Sequence, residues 1–185
     1  MSTPVYEPRE DSFLIANAAK KIVKGKILEV GFGSGYVLNE LSKNDNVKEC
    51  IGVDINPLAV EHAKKYNQNE KTSYIESDLF QKVDDTFDFI LCNPPYLPDD
   101  GFEDPALFGG KKGYEFIERL LTQVESYLAD NGSLILLFSN LSKKDMVERI
   151  IERNFFEFRQ LTEKGVGNFE TLYVYEIKKK ESLWN

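Results

Sequence analysis

LEVGFGSGYVLNELSK, residues 28–43, joins a short apolar run to a helix-like segment through three closely spaced glycines. The run belongs to a strand, KILEVG (26–31), and GYVLNELSK (35–43) continues directly as a helix. Gly31, Gly33 and Gly35 let the backbone turn sharply between the two and let a ligand approach the helix start closely. The pattern G-x-G-x-G is loose and also serves as a plain structural turn. Its meaning depends on the residues that stand around it.

Outward from this stretch, β-rich runs alternate with helix-period segments. SFLIANAAKKIV (12–23) carries Phe13, Leu14, Ala18 and Ile22 at helical spacing, with Asp11 or Ser12 as N-cap. CIGVD (50–54) is the next strand. NPLAVEHAKKYNQN (56–69) opens a helix with Asn56 as N-cap and Pro57 at the first helical position. TSYIES (72–77) and FDFILC (87–92) are further strands with no long helix between them. GYEFIERLLTQVESYLA (113–129) predicts one amphipathic helix, GSLILLF (132–138) a buried strand, and KKDMVERIIER (143–153) another helix. FFEFRQLTE (155–163) and TLYVYEIKK (171–179) predict two strands joined by a turn at Gly165–Asn168. The alternation implies an α/β architecture with a mainly parallel sheet covered on both faces, and the closing hairpin adds an antiparallel strand at an edge. With 185 residues and no internal repeat, a single domain over 1–185 is expected.

Composition narrows the class. With 42% hydrophobic and 29% charged residues the chain reads as an ordinary soluble globular protein. No apolar run approaches a membrane span, and MSTPVYEPRED lacks the layout of a leader peptide. Cys50 and Cys92 sit inside apolar runs without metal-type spacing and read as buried thiols, which suits a reducing cytoplasm. His62 falls among charged neighbours on a helix, a surface position, and no metal site is expected. The net charge of −8 counts against phosphate-driven nucleic-acid binding. Lys178–Lys180 is expected to be a solvated tail.

Three acids stand at successive strand ends, the edge where open α/β sheets bind ligands. Asp54 lies 23 residues after Gly31, where a carboxylate accepts both hydroxyls of a ribose. Glu29 precedes the glycine loop within its strand, repels phosphate and suits an ammonium group. The third glycine comes one residue too early for a dinucleotide fingerprint. An amino-acid-bearing nucleoside fits better, and S-adenosylmethionine is one. Asp78 in ESDLF (76–80) accepts from an adenine amino group while Leu79 packs on the ring.

ILCNPPYLPDD (90–100) is an apolar strand stopped by Asn93, Pro94, Pro95 and Tyr96, and it opens an unusually long loop to Gly113. The nitrogen of an amide or exocyclic amine is a poor nucleophile because its lone pair is delocalised. The Asn93 side-chain oxygen and a proline carbonyl each accept one of its N–H groups, which orients the nitrogen for attack. The prolines stiffen the loop, and Tyr96 packs over the planar group.

The order LEVGFGSG, VDI, SDL, CNPPY resembles the class I S-adenosylmethionine-dependent methyltransferases over nearly the whole chain. The resemblance implies their Rossmann-like three-layer sandwich with an antiparallel C-terminal strand. VYEPREDSFLI (5–15), LCNPPYLP, Gly109-Gly110 and Gly113 are similar to the archaeal and eukaryotic branch of HemK-like glutamine methyltransferases. That branch modifies the Gly-Gly-Gln glutamine of class 1 translation release factors and works with a small zinc-binding activator on an apolar sheet edge. By position, the resemblance gives Ser12 to the cofactor carboxylate, and Glu29 and Gly31, with Gly33 in the same loop, to its methionine part. It gives Asp54 to the ribose, Asp78 and Leu79 to the adenine, and Asn93 to cofactor and substrate together. Phe32 and Lys111–Lys112 depart from the family pattern. The competing readings are a DNA or RNA amino (adenine N6-type) methyltransferase, a protein lysine methyltransferase, and a non-catalytic binding module. The acidic balance and the absence of an added recognition domain count against a nucleic-acid substrate.

Overall fold

The computed structural model describes residues 5–95 and 110–180. Seven strands form one sheet: β1 (Gly25–Val30), β2 (Val47–Asp54), β3 (Thr72–Glu76), β4 (Phe87–Cys92), β5 (Leu128–Ser139), β6 (Phe156–Val166) and β7 (Glu170–Lys179). Among the described residues, five α-helices connect or flank them: α1 (Glu10–Ala19), α2 (Tyr36–Ser42), α3 (Pro57–Tyr66), α4 (Glu115–Leu121) and α5 (Lys144–Arg153). The strand order is β3-β2-β1-β4-β5-β7-β6. β1 to β5 pair in parallel, while β7 runs antiparallel to both β5 and β6. The expected hairpin is therefore present, with β7 slotted inside the sheet and β6 taking the edge.

The central parallel strands β1 and β4 bury both faces. On β1, Leu28 and Val30 join the core that includes Ile117, Leu120, Val147 and Ile150 from α4 and α5. Ile27 joins the opposite core with Ile15, Leu38, Leu41, Ala59 and Ala63 from α1, α2 and α3. Since side chains alternate along a strand, Glu29 points to this second face. The result is a helix–sheet–helix sandwich. Phe32 is buried against Tyr74, with ring centroids 4.9 Å apart, and a Cβ on Gly52 would lie 2.7 Å from it. Phe32 is thus part of the core on this face.

Some local expectations change. α1 starts before the predicted caps: its N-cap is Arg9, and Asp11 and Ser12 are buried in its first turn. The continuous helix over 113–129 is instead α4, then a 3₁₀ turn at Val124–Tyr127, then β5 from Leu128. The Thr122 hydroxyl and the Gln123 amide both bond the Arg119 carbonyl and compete with the helical ladder. Tyr127 stacks on Phe80 at 4.3 Å, and Leu128 pairs with Phe87. Lys178 and Lys179 are not tail residues but the last two of β7.

The sequence-predicted start of α3 is observed, with Asn56 accepting from the Leu58 N–H at 3.1 Å and Pro57 at the first turn. Among the described residues, no helix is long and apolar enough to cross a membrane, and no group of three metal-ligating side chains occurs.

Candidate active site

The register of the sheet brings the signals together. Val30 pairs with Cys92 across β1 and β4, so Gly31 and Asn93 leave neighbouring strands at the same level. Adjacent strands lie about 4.8 Å apart. This is also the point where the strand order reverses, the crevice that an open α/β sheet offers to ligands. Asp54 closes β2 on the other side of β1, and Asp78 follows β3.

Gly31, Gly33 and Gly35 all have positive φ, at 73°, 55° and 80°, which a side chain would strain. A Cβ on Gly31 would meet nothing within 4 Å, so open space lies in front of this turn. The Asp54 carboxylate holds the loop: Oδ2 accepts the Gly33 N–H and Oδ1 the Asn56 N–H, both at 2.9 Å. Burial still raises its pKa, although these amides and that of Ile55 pull the other way.

Glu29 is 2% exposed and lies beneath the start of α2. It accepts from the backbone of Leu38, in the first turn of a helix whose N-cap, Gly35, has no side chain to offer. Its Oε2 is buried and has no hydrogen-bond partner among the described residues. Burial first, and the Asp54 charge after it, push its pKa well above the usual carboxylate range. A lone buried carboxylate oxygen beside an open glycine turn suits an ammonium donor.

Asn93 carries another orphaned acceptor. Its Nδ2 donates to Asp11 Oδ2 at 3.1 Å, while its Oδ1 is buried with no partner among the described residues. The same Asp11 oxygen accepts the Tyr6 hydroxyl at 2.8 Å. Burial and then the Asp11 charge raise the Tyr6 pKa, so this hydroxyl stays a donor. Ser12 donates through its N–H (2.6 Å) and its Oγ (3.3 Å) to Asp11 Oδ1. Pro94 is buried and Pro95 half-buried, whereas Tyr96 lies outside the described residues, as does the loop to residue 109.

Asp78 is ion-paired with Arg119 of α4 through Oδ2, a partner the sequence did not suggest. Leu79, beside it, is buried with φ at 47°, a left-handed conformation costly for leucine. Lys112 and Lys143 flank the Tyr114 ring at 5.8 and 5.9 Å, so the basic departure at Lys111–Lys112 lies at the start of α4. Asp11, Tyr6 and Arg119 were not among the candidate residues. Asp11 stood in the quoted N-terminal stretch, but only its partner 82 residues away separates it from a capping aspartate.

The residues present fit S-adenosylmethionine: an orphaned carboxylate oxygen for the ammonium, an open glycine turn, and a carboxylate with spare lone pairs for a ribose. An open sheet in this strand order, with a glycine loop at its switch point, is the architecture of the class I methyltransferases. The model of the methyltransferase small domain family matches residues 10–170, and the chain belongs to that family. A protein of Methanocaldococcus jannaschii, provisionally named protein N5-glutamine methyltransferase, is 37% identical over 155 residues, covering 79% of this chain and 78% of that protein. The release factor glutamine methyltransferase of Fusobacterium nucleatum is 28% identical over 203 residues. That match covers 99% of this chain but 57% of the relative, so the chain spans little more than half its length. Among solved structures, the E. cuniculi Mtq2–Trm112 complex, described as responsible for methylation of the eRF1 translation termination factor, has a TM-score of 0.78. Its identity is 24%, over 95% of this chain and 99% of that one, which speaks for a shared fold.

Proposed function

We propose that this protein transfers the methyl group of S-adenosylmethionine to the side-chain nitrogen of the glutamine in the Gly-Gly-Gln motif of a class 1 translation release factor. The observation that carries this reading is Asn93 Oδ1, a buried acceptor at the rim of β4 with no partner among the described residues. When bound, the cofactor supplies an electrophilic methyl carbon on a sulfonium. Asn93 Oδ1 accepts one N–H of the substrate carboxamide and the Pro94 carbonyl the other, which orients the nitrogen and favours its loss of planarity. So held, the substrate nitrogen would present its lone pair to that carbon, and the proton it gives up on methylation would pass to solvent. Glu29, Gly31 and Ser12 would hold the amino-acid end of the cofactor, Asp54 the ribose, and Asp78 with Leu79 the adenine. Relatives with glutamine-methyltransferase names support this substrate over a nucleobase, and the net charge of −8 disfavours a nucleic-acid chain.

A small activator subunit, zinc-binding in kind, is the proposed partner. Support comes from the two-protein complex that shares the fold and from β3, which among the described residues leaves one edge of the sheet unpaired. The test is label transfer from methyl-labelled cofactor to purified release factor, with and without the activator. The expected result is one methyl group on the glutamine, lost when Gly-Gly-Gln becomes Gly-Gly-Ala. Label on a lysine, or faster transfer to ribosomal or transfer RNA, would overturn the substrate assignment.

A further inference from the structure

A carboxamide presents two ends of nearly equal shape and opposite hydrogen-bonding character. Acceptance of a substrate N–H by Asn93 therefore requires that Oδ1, and not Nδ2, face the acceptor nitrogen. Rotation by half a turn would set two donors against each other. Asp11 settles the orientation: a carboxylate accepts, so it admits the Nδ2 end, at 3.1 Å, and leaves Oδ1 buried with no partner among the described residues.

Asp11 is itself held from three sides. It is 4% exposed, accepts Tyr6 on the oxygen that holds Asn93, and takes the Ser12 N–H and hydroxyl on the other. Tyr6 also packs over the glycine loop, where a Cβ on Gly33 would lie 3.4 Å from its Cβ. One short N-terminal segment thus touches both the loop of the candidate cofactor site and the residue assigned to the acceptor amide.

We propose that Asp11 is a positioning residue for methyl transfer: its carboxylate, steadied by Tyr6, selects the rotamer in which Asn93 offers oxygen to the substrate nitrogen. This rests on the reading above, in which Asn93 receives the acceptor amide. Asp11→Asn keeps the shape but can pair with either end of the Asn93 carboxamide. It should lower kcat about tenfold or more, with cofactor Kd and release-factor KM moving no more than about twofold. Tyr6→Phe should lower kcat about threefold in the same pattern, and it keeps the test open if Asp11→Asn fails to fold. On an Asn93→Ala background Asp11→Asn should cost nothing further, because the group it orients is gone. A full additional loss there would overturn the proposal.

A second readout needs no substrate. In the nuclear magnetic resonance spectrum the Asn93 side-chain NH₂ pair, identified by its absence in Asn93→Ala, should be sharp and protected from exchange in the parent protein. In Asp11→Asn it should broaden and lose protection. An unchanged pair would overturn the proposal. A parent protein that shows these signals yet methylates no release factor would instead overturn the function proposed above.

Discussion

Replacing Asp54 by alanine separates a role in the site from a role in the fold. The Asn56 and Gly33 amides make one well-formed bond to each carboxylate oxygen, at 2.9 Å, while the Ile55 amide acts on it more weakly. A carboxylate offers about four lone-pair positions, so each oxygen keeps one for a ribose hydroxyl. Hydrogen bonds to a charged group contribute about 1.5–3 kcal/mol each, and two give about 3–6 kcal/mol. Water filling the truncated site recovers part of this. A loss of about 3 kcal/mol, or about a hundredfold in Kd, is expected. The fold should respond weakly, because two effects oppose. The two amides lose their acceptor, but a carboxylate whose folded pKa is raised by burial destabilises the folded state above its unfolded pKa. The melting temperature should therefore move by only a few degrees, at about 2–4 °C per kcal/mol for a chain of this size. Calorimetric titration with S-adenosylmethionine and a thermal melt without it measure the two quantities. A Kd within about threefold of the parent value, or lost binding explained by a collapsed melt, would refute the assignment.

Three further perturbations extend the test. Asn93→Ala should reduce kcat on the order of a hundredfold with a nearly unchanged melt, and near-normal turnover would leave Asn93 as a strand terminator only. Gly31→Ala places a methyl group in the open space before the turn at φ 73°. It should cost the fold about 1–2 kcal/mol and abolish measurable cofactor binding, and an unaltered Kd would remove that space from the site. Glu29 has a raised folded pKa, so its contribution to stability is full below its unfolded pKa and is lost as pH rises through the folded one. The ligand-free melt should fall across that window and the cofactor-induced gain should grow, with a proton released on binding. Glu29→Gln should lose this component of the slope, and an identical pH profile in that variant would contradict the assignment.

Elements with local punctuation were legible directly. Asn56 and Pro57 open α3 because a side-chain cap and a fixed φ act on the adjoining turn. The 113–129 segment misled because its break is enforced from elsewhere, by Phe80 against Tyr127 and Phe87 beside Leu128. Lys178 and Lys179 read as a tail from composition, yet Lys178 pairs with Ser133 and Glu157, and Lys179 with Phe156.

For the candidate site, the sequence by itself determined the order of strand, glycine turn and helix, and the residue types available where the strands end: Glu29, Asp54, Asp78 and Asn93. These follow from periodicity and turn chemistry, which are properties of consecutive residues. Only the tertiary structure decided that Gly31 and Asn93 leave adjacent strands together, that Asp78 faces Arg119, and that Asp11 rather than solvent holds the Asn93 amide. A hydrogen bond across 82 residues exists only once the sheet has closed and α1 has packed on it. The orphaned oxygens of Glu29 and Asn93 belong to the same category. An unpartnered acceptor is defined by everything packed around it, and no spacing along the chain encodes that.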